Sequence, residues 1–575
     1  MQKFSELQYC RPDIQAMRSG LAQDAERLKA ASSFEDTDAV LRAHDAALRE
    51  FATMANLASI RNTIDTSDRF YEAEKVFFDT ETPKNTPYTL AYDEALLASP
   101  FRAEIGRKYG PQLLALTERE AKRLSPVLIE STIEENRLVR EYQKLLASCR
   151  VQFMGETVNL SGLRRFQQSP DRAVRKAAAA AVSDFLGANA EQLDTLYDQL
   201  VVLRNRMGQL MGYDDFTPLG YLRMGRTYEP ADVARFRAQV AEELVPVCTE
   251  LHHRHAARIG VPSLKIYDET YQFADGNATP EGDLAFMVSA AQRMYRELSK
   301  ETGEFFDFMV QYELMDLLTK PNKRVGGYCT SLPAYQAPFI FSNFNGTSAD
   351  VDVLTHEAGH AFAGRCAGAA QPLLAYASPT LEACEIHSMS MEFFTHPWME
   401  LFFGKNADKY RYSHLLESLT FIPYGVCVDE FQHIVYANPA LSPAERKEAW
   451  HALEAKYLPH RDYDGDAFME AGGFWQKQQH IYARPFYYLD YALASMGAFE
   501  FYGKMQEDRA AAWEDYLRLC RAGGSLPYRA LLKLANLSDP FEAGGVMRAV
   551  KAGVDTLLAA DDLALQNERT EERCK

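Results

Sequence analysis

Residues 356–360 read His-Glu-Ala-Gly-His, inside the run from Ala349 to Phe362, and the reading of this stretch decides the fold. On a helix, side chains at i and i+4 lie on one face, so His356 and His360 can reach a single metal ion. Glu357 points in a neighbouring direction, where it can accept a proton from a water held at that metal. Two histidines and a carboxylate base in this order are the residue set for metal-assisted hydrolysis of an amide. Helix signals surround the pentapeptide. Asn345-Gly346 is a turn signal, Thr347 and Ser348 are candidate N-caps, and Asp350 and Asp352 fall in a first turn that favours acids. Val351, Leu354, Ala358, Ala361 and Phe362 supply the apolar side. Upstream, Phe339-Ile340-Phe341-Ser342-Asn343-Phe344 has the composition of a short buried strand.

A third ligand is expected from the next helix. Ser378-Pro379 predicts its start as N-cap and first helical position, and Thr395-His396-Pro397 its end. Glu382, Glu385 and Glu392 recur at spacings of three and seven and share a face. Such a stripe ordinarily marks a solvated face. Here Leu381, Cys384, Ile386, Met389, Met391, Phe393 and Phe394 surround the axis and predict a buried helix. Buried carboxylates are costly unless paired or metal-bound. Glu385 is read as the third ligand, with Glu382 as the alternative. Glu392, two turns on, is read as a hydrogen-bond partner to a ligating histidine. His387 lies away from Glu385 and is read as a core or cleft residue.

His356 to Phe362, followed by Glu385-Ile386-His387-Ser388-Met389-Ser390-Met391-Glu392, resembles the thimet oligopeptidase and oligoendopeptidase F family of zinc metallopeptidases, closest to the bacterial oligoendopeptidase F branch. Three further stretches carry the resemblance: Ala337 to Thr347, Asp429 to Tyr436, and His480 to Tyr491. It is strong over residues 200–575. It implies a mainly α fold, a large helical zincin-type body with a small β-sheet beside the His-Glu-x-x-His helix and a deep substrate channel. It also implies one zinc ion per chain, held by His356, His360 and Glu385, with Glu357 as general base. In the last stretch it assigns His480, Tyr488 and Tyr491 to the oxyanion of the tetrahedral intermediate, a role open to tyrosine and histidine donors. Tyr487 remains an alternative to Tyr488. Pro485 predicts the start of the helix that carries the tyrosines through Met496 and Phe499.

The implied activity is cleavage of internal bonds in unstructured peptides of roughly 5 to 20 residues, bound as an extra strand along Phe339–Phe344. A rival within hydrolases is a dipeptidyl carboxypeptidase, which needs a cationic anchor for the substrate carboxylate; Arg484 is the candidate. A non-catalytic peptide-binding protein would be expected to have lost Glu357 or a ligand.

Composition frames these readings. The chain has 575 residues, 47% hydrophobic and 25% charged, which is too long for one ordinary core. A helical domain over residues 1–195, forming one channel wall, and a catalytic domain over 196–575 are expected. The formal charge of −18 argues against nucleic acid and anionic membrane partners, since phosphate binding needs a basic face. No run approaches the ~18 apolar residues of a membrane span, and the first residues lack the apolar run of a signal peptide. Nine dispersed cysteines predict free thiols in a reducing, cytoplasmic setting. Helices are expected over most of residues 1–260, loops over 262–283, strands over 321–347 and helices again from 348 onward. His252, His253 and His255 are read as a solvated helix face. His433 and Tyr436 share a helical face and are read as either substrate contacts or core.

Overall fold

The structure is a computed structural model, and it describes residues 1–562 and 564–569. Helices dominate, as the periodicity predicts. Among the described residues there are two small sheets. Val151–Phe153 (β1) and Glu156–Val158 (β2) form an antiparallel hairpin. Met315–Leu318 (β3), Tyr328–Leu332 (β4) and Ala337–Phe344 (β5) form a mixed sheet in the order β3-β5-β4. Residues 262–283 carry only a single short turn of helix, Ile266–Asp268, as expected. Eight described cysteines are free; Cys574 lies outside the described residues.

The sheet corrects one expectation. β5 is the central strand, paired in parallel with β3 from Met315↔Ile340 and antiparallel with β4 from Tyr328↔Phe341 to Leu332↔Ala337. β4 takes one edge over Ala337–Phe341 and β3 the other over Ile340–Phe344, so a peptide cannot add along the whole of Phe339–Phe344. Phe339, Ile340, Phe341 and Phe344 are buried core residues, and only Ser342 and Asn343 of the six reach the cleft. The near-continuous apolar run is the signature of a strand buried on both faces rather than of an open edge.

Three helices build the site. The histidine helix is Ala349–Ala370, the glutamate helix Leu381–Phe394 and the tyrosine helix Tyr488–Ala522. The histidine helix begins directly after Ser348, where cap chemistry places it, and the other two begin two and three residues later than expected. Ser348 is helical and no hydroxyl caps the histidine helix; instead the Asp350 carboxylate reaches back to the Asn345 and Gly346 amides at 2.9 and 2.7 Å. Thr380, not Ser378, precedes the glutamate helix, and Tyr487, not the residue before Pro485, precedes the tyrosine helix. Gly359 explains the close packing of the first two: a Cβ there would meet Ser388 Cα at 2.7 Å and His387 O at 2.9 Å. Only glycine allows that backbone approach.

A large core runs through the whole chain, from Leu7 to Leu557. A second, smaller core gathers Leu28, Leu41, Tyr92, Leu96 and Ile105 from the first helices, together with Leu373 and Tyr376 from the segment before the glutamate helix. That segment is also pinned by polar contacts: the Leu374 amide donates to Asp45 Oδ1 at 2.5 Å and the Tyr376 hydroxyl to the Tyr109 carbonyl at 2.8 Å.

Candidate metal centre and its cleft

The i, i+4 pair does what the spacing predicts. His356 Nε2 and His360 Nε2 each lie 3.2 Å from Glu385 Oε2, and their rings are 4.9 Å apart. Among the described residues these three form the one cluster of histidine, cysteine or carboxylate groups that could hold a metal, with ligand atoms within 4.8 Å of one another. Two imidazole nitrogens and one carboxylate oxygen suit a borderline cation such as zinc. His356 Nδ1 donates to Glu392 Oε1 at 2.6 Å, which fixes the tautomer and leaves Nε2 bare toward the cluster. Ser388 Oγ donates to Glu385 Oε2 at 3.0 Å, and the Tyr487 hydroxyl donates to Oε1. Burial opposes the charge on Glu385, but His360 and His356 beside it hold its carboxyl well below the usual range. Glu357 is 6% exposed, and its Oε2 is buried without a hydrogen-bond partner among the described residues. Burial pushes its pKa up. An orphaned carboxylate oxygen beside this ligand set is what a bound metal and its water would satisfy.

Glu382 does not join this cluster. It is fully buried, and burial together with Asp490 raises its pKa to about 8. Spacing of three placed it near Glu385 in angle, but its charge is felt by Asp490 and Arg226 while Glu385 meets the histidines.

The site lies in a cleft of 1460 Å³, well above the ~300–1,000 Å³ of an ordinary small-molecule pocket. Ser161 and Arg164 from the chain's first third, β4 residues Tyr328–Ser331, and His480, Arg484, Tyr487, Tyr488 and Tyr491 all line it. The His480 ring centroid is 5.5, 5.1 and 5.7 Å from those of Tyr487, Tyr488 and Tyr491. Gln478 Nε2 donates to His480 Nδ1 at 2.8 Å, so the ring proton resides on Nε2. Burial lowers the His480 pKa to about 4 and keeps the ring neutral near pH 7. The turn that presents these rings is clamped. Arg226 Nη2 donates to the Phe486 carbonyl at 2.6 Å and to Asp490 Oδ1 at 3.0 Å, and Gln432 Oε1 accepts from the Phe486 amide at 2.8 Å. Phe486 itself has φ +69°, a strained conformation for a large side chain.

Other sequence readings sort as follows. His387 is buried and lines the cleft, with its ring edge-on to Tyr516. His433 and Tyr436 are core: His433 pairs with the Tyr221 hydroxyl at 3.0 Å, and Tyr436 accepts from Arg204 Nη1 at 3.1 Å. The solvated face of His252, His253 and His255 is incorrect. His255 is buried and donates to the Tyr271 carbonyl at 2.7 Å, and His252 stacks on His460 at 3.5 Å; only His253 is exposed. Residues packed from elsewhere in the chain cover that helix, which its own sequence does not reveal. Sequence reasoning also missed His414, whose Nε2 donates to Glu392 Oε2 at 2.6 Å, with His396 Nε2 3.0 Å from its Nδ1. No local signal marks it, because it joins the site from a helix, Ala407–Ala437, remote in sequence.

Comparison with known proteins agrees with this geometry. Residues 4–124 match the peptidase M3 N-terminal domain and residues 165–549 match peptidase family M3. Among curated proteins no match is found. Among solved structures, PZ peptidase A with an inhibitor is 48% identical, covering 98% of this chain and 100% of its own, with a TM-score of 0.96. A provisionally named oligoendopeptidase F is 49% identical over the same shares, also at 0.96. Another, from Bacillus anthracis, is 45% identical over 98% of this chain and 99% of its own, at 0.91. With a metal-competent cluster in a deep cleft and a family match across most of its length, the chain belongs to peptidase family M3 and is a metalloendopeptidase similar to the oligoendopeptidase F branch.

Proposed function

We propose that the protein is a zinc-dependent endopeptidase that hydrolyses internal bonds of short, unstructured peptides. The observation that carries this reading is the convergence of His356, His360 and Glu385 beside the orphaned Glu357 carboxylate in a peptide-sized cleft. His356, His360 and Glu385 would hold the zinc, one per chain. When bound, zinc supplies Lewis acidity at the scissile carbonyl and brings the pKa of water down to roughly 7. Glu392 orients His356. Glu357 takes the proton of the attacking water and returns it to the departing amine. Tyr491, with Tyr488 or the Nε2–H of His480, donates to the oxygen on which negative charge develops. Tyr487 holds Glu385 in place. The crowding of these rings around His480 supports the assignment.

The peptide would lie extended along β4, the edge strand of the sheet, whose residues line the cleft. Main-chain pairing there gives affinity with little sequence demand. The helices of residues 1–195 supply part of the opposite wall. Arg484, exposed at the cleft and 4.6 Å over the Tyr487 ring, is the one feature that favours a carboxypeptidase instead. A peptide blocked at both termini separates the two. Cleavage that is lost with chelator and restored by zinc establishes the endopeptidase; cleavage only of peptides with a free carboxylate establishes the exopeptidase.

A further inference from the structure

A second cavity, of 540 Å³, lies where the two cores meet. One wall comes from the first helices, including Leu21, Leu96 and Leu116, and the other from Leu222, Leu373 and Leu526. Its volume falls in the ~300–1,000 Å³ range of ligand sites, and junctions between domains are where such sites concentrate. Ten of the thirty wall residues are leucine and seven are charged. One polar group stands out among them: Asp93 is 7% exposed, and its Oδ2 has no hydrogen-bond partner among the described residues.

Most of the neighbouring charges are already engaged, while Arg484 lies over the Tyr487 ring at 4.6 Å. Arg119 Nη1 donates to the Gly225 carbonyl at 2.6 Å, Arg123 pairs with Glu120, Arg223 with Glu135 at 2.9 Å, and Asp45 with Arg49 at 2.6 Å. None of these cations bonds Asp93. A buried carboxylate left without a partner costs free energy comparable to a lost charged hydrogen bond or more. A metal would need several more oxygen ligands than this one residue offers. An ammonium group needs only the carboxylate, and its apolar body would be covered by the leucines.

We propose that this cavity is a binding site, separate from the metal centre, for an organic ammonium carried on an apolar body, with the ammonium on Asp93. The shared chemistry belongs both to small free amines and to the amino terminus of an apolar peptide. The site touches the machinery on one side. Ser378, Pro379 and Leu381 line both cavities, and Leu381 opens the helix that bears Glu385 one turn later. An occupant would therefore lie against the start of the glutamate helix.

The test uses the full-length, zinc-loaded Glu357→Gln protein, so that no peptide is consumed. Phenylalanine amide is titrated calorimetrically, beside its N-acetylated form and beside Leu-Leu-Leu-amide with free and acetylated amino termini. The expected result is one site per chain, not displaced by saturating substrate peptide, and weakened at least ~10-fold by acetylation, consistent with loss of one charge-assisted contact. Tighter binding of phenylalanine amide than of the tripeptide assigns the site to small amines, and the reverse order assigns it to peptide amino termini. Asp93→Asn should reproduce the ~10-fold loss without altering the cavity's shape. Leu116→Trp, which fills the space, should abolish binding while Asp93 is intact. Displacement by substrate peptide would place the amine in the main cleft and overturn the proposal. Binding indifferent to both substitutions would do the same. Because the readout is binding, its failure leaves the peptidase reading untouched.

Discussion

At the scale of single residues, the proposed roles divide the site into groups that would hold a metal and groups that would act beside it. Glu357 contacts neither histidine nor Glu385 through a hydrogen bond, and its Oε2 is free. Glu357→Gln keeps the shape and removes the base. We expect zinc content unchanged by metal analysis and turnover reduced at least ~10²-fold, the lower bound for a general base. Near-normal turnover would mean that another group takes the proton. Glu385 and Glu392 make the complementary pair. Glu385 lies 3.2 Å from both imidazoles, whereas Glu392 touches only the far side of His356 and His414. Glu385→Ala should abolish tight metal binding. Glu392→Ala should weaken it by about 10–100-fold, as for other partners behind a ligand. Competition with a chromogenic chelator measures both, and the opposite order would reverse their roles.

At the scale of elements, the turn 484–490 decides how three tyrosines meet the cleft. It is held by Arg226 and Gln432, neither of which borders the metal cluster. Arg226 is thus a positioning residue. Its side chain and that of Asp490 are both fully buried, so Arg226→Met also leaves a buried charge unpaired and should lower stability by about 3–5 kcal/mol. The informative variant is Arg226→Lys, which keeps the charge but loses the planar guanidinium that lies 4.5 Å over the Tyr221 ring and fixes where Nη2 donates. With zinc content and KM close to those of the parent, kcat should fall ~10-fold or more, because small misplacements of catalytic groups are costly. A change in KM alone would assign Arg226 to substrate binding or packing.

At the scale of the whole molecule, the cleft is walled by both the first helices and the catalytic body. A chain must enter it extended. The same cleavable sequence presented as a free peptide and grafted into a loop of a stable folded protein should therefore differ sharply, with rapid cutting of the peptide and resistance of the graft, followed by mass spectrometry. Equal rates would show that enclosure does not select substrates. The molecule carries a formal charge of −18, and among the described residues no helix is long and apolar enough to cross a membrane.

The sequence by itself determined what periodicity and local chemistry can encode. His356 and His360 converge because i and i+4 share a helical face, and the glutamate helix is buried because apolar residues encircle it. The mainly helical fold and the loops of 262–283 are legible for the same reason, and the family through the resemblance of its motifs. Only tertiary structure decided between groups that are local equals. Glu382 and Glu385 differ by what packs against them, not by their spacing. β5 reads as a strand either way, but its place between β3 and β4 closes the edge that a peptide would have used. The glutamate and tyrosine helices start two and three residues later than Ser378-Pro379 and Pro485 signal. His414 and Arg226 act on the site across separations of 22 and 260 residues, through Glu392 and Phe486. Contacts of that range depend on how elements pack, which no window of sequence contains.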